Sequence, residues 1–325
     1  MTEKKVIAVI TGGEAAERSI SLKSAAVVCD HLPGSKYEIY KVTINPDNWP
    51  VEYQGKVVGT VDCNDFSVVH EGRKIKFDAA FVALHGTPAE DGKLQGYLDL
   101  KGVPYNCCGV LTAALTFDKN KTKEYLSVFG IRSPRAVCAS TVQTAHEISQ
   151  AVIQQLTFPV FVKPNKNGSS YGASKVGGAD ELAAAISLGF QYDDEILIEE
   201  YIAGTEVTCG CIRYKGAITP LPITEIRSKK GFFDFEAKYE GASQEITPAE
   251  IDAGIAAKIQ QTVAFIYRQL DFKGMCRVDF IIRDGEFFML EVNSIPGISA
   301  ESIVPQQARA FGLTLEELFA GTLPV

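Results

Sequence analysis

The sequence predicts an α/β protein of two or three domains, and three observations carry that reading. Strand-like apolar runs alternate with helix-periodic stretches over the first third, the pattern of an open sheet with crossover helices. The last third holds one long amphipathic helix pattern and then a strong hairpin signal. The chain has 325 residues, and a domain usually takes ~150.

Taken in order, residues 6–11 form a first buried strand, turned at Gly12-Gly13 into a helix over about 21–32. Residues 78–84 make the second buried strand, ending at His85-Gly86. A helix over 92–101 is stopped by Gly102, and another over 112–129 is closed by Gly130. Residues 158–163 are a short strand, 165–172 a Gly/Ser loop and 173–176 extended chain. A helix over 179–188 and a strand over 195–200 follow. Thr247-Pro248-Ala249-Glu250 reads as a capping box with proline at the first helical position. Ile251, Ile255, Ile259, Val263, Ile266 and Leu270 then form one stripe of a long helix. Residues 277–283 and 286–293 flank Asp284-Gly285 as two hairpin strands, and Thr314 to Glu317 caps a last short helix.

Composition narrows the class. The 32 Lys+Arg against 40 Asp+Glu give a net charge of −8, which argues against a nucleic-acid-coating surface. An apolar share of 46% with 22% charged residues is that of a globular protein. No apolar run approaches the ~20 residues of a membrane helix, and the run at 6–10 is too short for a signal peptide. A cytoplasmic protein is expected. Cysteines at 29, 63, 107, 108, 138, 209, 211 and 276 include no Cys-x-x-Cys, so unpaired core thiols are expected and Cys209-Gly-Cys211 is read as structural.

Three constellations carry chemistry. Asp279, Glu291 and Asn293 interrupt very apolar strands, and their oxygens are hard ligands suited to Mg²⁺. The plainer reading is an edge strand with solvated acids. Parity separates the two. A bare two-residue turn puts Asp279 and Glu291 on opposite faces, whereas one extra residue or a bulge pairs Asp279 with Glu291 and Arg277 with Asn293. The second register leaves Val278, Phe280, Ile282, Phe288, Leu290 and Val292 together on the other face, and it is the one expected. The stretch from Lys163 to Ser174 has Gly168, Ser169, Ser170 and Gly172, suited to cradling polyphosphate or to forming a plain mobile hairpin loop. Gly12-Gly13 before a helix start suits a small-ligand site or merely a tight turn.

Together these pieces resemble the D-alanine–D-alanine ligases of the ATP-grasp superfamily over nearly the whole chain. The matching residues run in order through Gly12-Gly13, Glu17-Arg18, Ser21, His85-Gly86, Glu90-Asp91-Gly92 and Asp118-Lys119. They continue through Lys163-Pro164, Gly168-Ser169-Ser170, Glu199-Glu200, Gly204, Glu206 and the segment 233–239. Arg277-Val278-Asp279, Glu291-Val292-Asn293, Pro296-Gly297 and Ser302 complete the set. The chain departs from the family's usual residues at Ala89, Asn106-Cys107-Cys108 and Tyr171, which bears on acceptor identity.

The resemblance implies an ATP-grasp fold behind an N-terminal open α/β domain, in segments 1–107, 108–198 and 199–325. It implies ATP-dependent joining of two D-alanines through an acyl phosphate, for peptidoglycan precursors. Lys119 and Lys163 would meet phosphates under the Gly168-Ser169-Ser170 loop. Glu199, Glu200 and Ile202 would face adenine, Glu206 the ribose, and Asp279, Glu291 and Asn293 two Mg²⁺, with Mn²⁺ able to substitute. Glu17 would bind the first substrate's ammonium, Arg277 and the Gly297 N–H the oxyanion, and Ser302 the second carboxylate. Phe232, Lys238 and Tyr239 would lie on a closing loop, with Lys238 at the γ-phosphate and Tyr239 joining Ser169 and Glu17. A homodimer is implied, with no nucleic-acid or membrane partner. His85 is either a helper for the first carboxylate or a structural histidine. The nearest rival is a ligase taking D-serine or D-lactate as acceptor. A nucleotide-binding protein without ligase activity and a nicotinamide-dependent dehydrogenase stand further off.

Overall fold

A computed structural model describes residues 4–13, 17–168, 171–228 and 243–325. The N-terminal region supplies strands β1 (Lys5–Gly12), β2 (Tyr37–Ile44), β3 (Pro50–Tyr53), β4 (Lys56–Thr60), β5 (Ser67–His70), β6 (Arg73–Lys76) and β7 (Ala79–Val82). Helix α1 (Arg18–His31) joins β1 to β2, and α2 (Lys93–Lys101) follows β7. The main sheet runs β4-β3-β2-β1-β7. Its centre is parallel, β1 pairing with both β2 and β7, while β3 and β4 add an antiparallel edge. The expected open sheet is therefore mixed, and β5 and β6 form a separate hairpin.

Strand β1 shows why the sheet is central. Its side chains alternate between two cores, Ile7 and Val9 on one face, Ala8 and Ile10 on the other, all at 0% exposure. The turn that leaves it requires glycine. Gly12 and Gly13 have φ of +98° and +84°, and a Cβ on Gly12 would collide with the Ile44 carbonyl oxygen.

Next come α3 (Val110–Phe117), α4 (Lys119–Ser127), β8 (Ala136–Ser140), α5 (Ala145–Gln155), β9 (Val160–Pro164), β10 (Ser174–Val176), α6 (Ala179–Gly189) and β11 (Glu195–Glu200). The strands form an antiparallel sheet in the order β10-β9-β11-β8. The single helix expected over 112–129 is two. Asp118 stands between them in an extended conformation, and its carboxylate caps α4 by accepting from the Lys121 N–H. Its own sequence gave the reason, since aspartate competes with the helix backbone and favours caps.

The last region contains β12 (Thr205–Tyr214), β13 (Ala217–Pro220), β14 (Thr224–Ser228), β15 (Ser243–Ile246), α7 (Ala253–Gln269), β16 (Met275–Arg283), β17 (Glu286–Asn293), α8 (Ile303–Phe311) and α9 (Leu315–Thr322). Its antiparallel sheet runs β15-β14-β12-β16-β17, with β13 beside β12. Helix α7 buries Ile259, Val263 and Ile266 completely against it, each worth about 1.5–3 kcal/mol. The capping box expected at 247–250 does not form. The Thr247 hydroxyl bonds to the Thr224 hydroxyl and the Glu250 N–H donates to Glu225, so the helix starts later, capped by Asp252. The Thr314–Glu317 box is present in full. Helices α8 and α9 return to the N-terminal sheet, where Val304 and Phe319 join Ile7 and Phe81 in one core. All eight cysteines are free, and Cys107, Cys108, Cys209, Cys211 and Cys276 are buried. Among the described residues no helix is long and apolar enough to cross a membrane.

Candidate active site

The β16–β17 ribbon holds the expected register. Arg277 pairs with Asn293 and Asp279 with Glu291, and a bulge after Asp279 absorbs the parity change. The bulge corrects the apolar face, because Phe280 pairs with Met289 and Ile282 with Phe287. Met289 and Phe287 thus pack in the core with Val278, Phe280 and Val292, whereas Leu290 lines the polar cleft together with Asp279 and Glu291.

Asp279 is the hub. Arg277 forks onto it with Nε 2.8 Å from Oδ1 and a terminal nitrogen 2.9 Å from Oδ2. Asn293 donates to Oδ2 at 3.1 Å, and the Thr208 hydroxyl donates to Oδ1 from β12, where Thr208 lies opposite Asp279. Among the described residues no three His, Cys, Asp or Glu side chains converge as a metal cage. The donor set is two carboxylates and a carboxamide, and that set of hard oxygens fits Mg²⁺.

Helix α4 brings the cations. Lys119 Nζ donates to the Asn167 carbonyl at 2.6 Å and stands 3.8 Å from Glu291. One turn later Lys123 forms an ion pair with Glu199 Oε1, and Lys163 on β9 holds Glu199 Oε2 at 2.8 Å. The side chains of Lys123 and Glu199 are only 6% and 4% exposed. Burial and the nearby Lys163 act to lower the Lys123 pKa and Glu291 opposes them, while the Glu199 carboxylate in direct contact favours the charged ammonium. Glu200 is held by Arg135 through its backbone N–H at 2.9 Å and its Nε at 3.3 Å.

The loop between β9 and β10 approaches the N-terminal region at Glu17, the residue before α1. A Cβ placed on Gly168 would lie 2.5 Å from Glu17 Oε1, and one on Gly86 2.7 Å from Glu17 Oε2. The Glu17 carboxylate therefore sits between two glycine backbones from different regions. Below it, His85 is satisfied structurally. Its Nδ1 faces the Ile295 carbonyl at 3.0 Å and its Nε2 the Ser24 hydroxyl at 2.9 Å, while its N–H donates to Ser21. A carbonyl only accepts, so Nδ1 carries the proton and burial holds the ring neutral. Glu90, matched in the motif Glu90-Asp91-Gly92 but given no role there, is pushed up to about 8, chiefly by burial and then by the Glu17 carboxylate. Gly297 packs against Ser302, whose hydroxyl shares a 2.7 Å hydrogen bond with Ser299 at the start of α8.

These groups line two adjoining clefts. One of about 390 Å³ is lined by Lys119, Lys163, Gly168, Glu199, Glu200, Ile202, Glu206, Asp279, Leu290 and Glu291. The other, about 300 Å³, is lined by Glu17, His85, Glu90, Arg277, Asn293, Gly297 and Ser302. They meet at Lys119, Asn167, Gly168 and Glu291, which line both. Ser169, Ser170, Phe232, Lys238 and Tyr239 lie outside the described residues. Sequence reasoning missed Lys123 and Thr208. The signals available were the four-residue spacing from Lys119 and a hydroxyl inside an apolar strand.

The family model described as D-ala D-ala ligase N-terminus matches residues 6–108, and that described as D-ala D-ala ligase C-terminus matches residues 134–323. The chain belongs to the D-alanine–D-alanine ligase family. A D-alanine–D-alanine ligase of Flavobacterium johnsoniae is 45% identical over 98% of both chains. Among solved structures, the VanG D-Ala:D-Ser ligase from Enterococcus faecalis superposes with a TM-score of 0.88 at 32% identity, covering 98% of each chain. The D-alanine–D-alanine ligase of Bacillus anthracis complexed with ATP gives a TM-score of 0.77 at 28% identity, covering 98% of this chain and 96% of that one. The ligase family thus accounts for the ATP-grasp architecture of the antiparallel sheets flanking the larger cleft.

Proposed function

We propose that this chain joins two D-alanines into D-alanyl-D-alanine for peptidoglycan precursors, converting ATP to ADP and phosphate. Family membership supports the reaction, and the observation that carries its placement is the meeting of the two clefts at Lys119, Gly168 and Glu291. The nucleotide takes the larger cleft and the amino acids the smaller. A carboxylate oxygen of the first D-alanine attacks the γ-phosphorus, the bond to ADP breaks, and an acyl phosphate forms. The amine of the second attacks the acyl carbon, and the tetrahedral intermediate loses a proton and expels phosphate. Activation is required because a carboxylate oxygen is a poor leaving group.

In this reading Lys119 and Lys163 hold phosphate oxygens and Gly168, Ser169 and Ser170 cover them. Glu199, Glu200 and Ile202 border adenine, with Glu206 at the ribose and Phe232 and Lys238 contributed by the closing loop. Glu17 takes the first ammonium, Ser302 the second carboxylate, and Tyr239 links Glu17 to Ser169. Arg277 and the Gly297 N–H stabilise the oxyanion, a role worth about 3–4 kcal/mol per donor. Asp279, Glu291 and Asn293 would hold two Mg²⁺, replaceable by Mn²⁺, which would neutralise phosphate charge. The working units are 1–107, 108–198 and 199–325, in a cytoplasmic homodimer.

Acceptor identity is the finer part of the proposal. The curated relatives are named for D-alanine, while the VanG neighbour is named for D-serine. Product masses from equimolar D-alanine, D-serine and D-lactate test it. D-alanyl-D-alanine as the main product is expected, and a dominant mixed product would overturn D-alanine as acceptor.

A further inference from the structure

We infer that Lys123 is a positioning residue for the phosphate end of the nucleotide cleft, acting through Glu199 on Lys163; the inference rests on the ligase reading above. Helix α4 presents Lys119 and Lys123 on one face, a turn apart. Lys119 reaches the cleft, but Lys123 stops beneath it, buried and outside the lining of either cleft. Its partner Glu199 does line the cleft. Lys163 lies opposite Leu197 and Glu199 opposite Phe161, so the two are diagonal neighbours on one face of the β9–β11 pair.

The arrangement divides one carboxylate between two cations. Oε1 goes to Lys123 and Oε2 to Lys163. Glu199 with Lys163 alone would be a closed, neutral pair, and an arriving phosphate would have to break it. With Lys123 on the other oxygen, two ammoniums face one carboxylate. The trio carries one more positive than negative charge beneath the cleft, and Lys163 is held in place by a carboxylate whose charge is shared with Lys123. In a chain of net charge −8 such a local surplus matters for holding a polyphosphate.

The test uses K123M, K123R, E199Q and the double variant K123M/E199Q. Steady-state KM for ATP and for D-alanine, kcat, Mg·ADP affinity by calorimetry, and Tm are measured on each. K123M should raise the ATP KM and the Mg·ADP Kd at least about tenfold, with the D-alanine KM within about twofold. K123R should restore both. Measured against E199Q, which carries any loss at the adenine, K123M/E199Q should bind Mg·ADP within about threefold. A merely structural role would lower Tm and active fraction with the ATP KM unchanged, and that result would overturn the inference. K123M costing about tenfold in the E199Q background too would do the same, and that comparison can be read even if K123M alone fails to fold. Wild-type enzyme that turns over no ATP with D-alanine would instead count against the ligase reading, and Mg·ADP affinity still decides the role of Lys123.

Discussion

Replacing Gly168 with alanine tests whether the loop and Glu17 form one site. The added Cβ would stand 2.5 Å from Glu17 Oε1 and 2.9 Å from its Cδ and Oε2. An ordinary contact begins near 3.4 Å, so the carboxylate must retreat by about 0.9 Å, and a misplacement near 1 Å can cost about 10²-fold in catalysis. Gly168 is not among the glycines with positive φ, so alanine fits its backbone. The atoms met are the far end of a flexible side chain, which keeps the stability change within about 1 kcal/mol. We therefore expect kcat/KM for D-alanine to fall roughly 10- to 100-fold with Tm nearly unchanged and the ATP KM less affected. Coupled phosphate-release kinetics over D-alanine and ATP gradients read all three. A folded G168A enzyme with wild-type D-alanine kinetics would refute the placement of Glu17 against this loop.

Other perturbations follow from single residues. Glu90 is raised from 4.5 to about 8, so the folded state favours its protonated form. The stability this contributes is complete below pH 4.5 and disappears as pH rises through 8. The Tm advantage of E90Q over wild type should therefore grow between those values and level off above them, and an advantage independent of pH would contradict the burial argument. Gly274 has φ +70°, and a Cβ there would overlap the Asn106 carbonyl oxygen. G274A should cost about 2 kcal/mol or more, read as a Tm lower by roughly 4 °C or more; an unchanged Tm would be incompatible with this packing. D279N removes the charge that Arg277 grips by two nitrogens. It should lower kcat about 10²-fold or more and raise the Mg²⁺ concentration needed for half-activity, whereas an unaltered Mg²⁺ titration would remove Asp279 from the metal set.

The ribbon was legible in the sequence because burial permits only one clean separation of polar from apolar residues, and the register of Asp279 with Glu291 follows from that. The bulge position was not legible. Leu290 is as apolar as Met289, and only three-dimensional packing sends one to the cleft and the other to the core. Strand β11 was read from a short local signal that tertiary structure leaves intact. Strands β2 to β6 were not read, since β4 and β6 are largely exposed and carry little hydrophobic pattern. Local chemistry misled at Thr247, where a partner 23 residues away, Thr224, outcompetes the helix cap. The site residues missed were those whose role is set by a distant partner: Lys123 by Glu199 and Thr208 by Asp279.

The most direct measurement is ATP consumption by the purified enzyme with Mg²⁺ and D-alanine, L-alanine or no amino acid, with product mass recorded. Phosphate release that requires D-alanine and appears with one D-alanyl-D-alanine per ATP is the expected result. ATP left intact in the presence of D-alanine, or spent without dipeptide, would contradict the account.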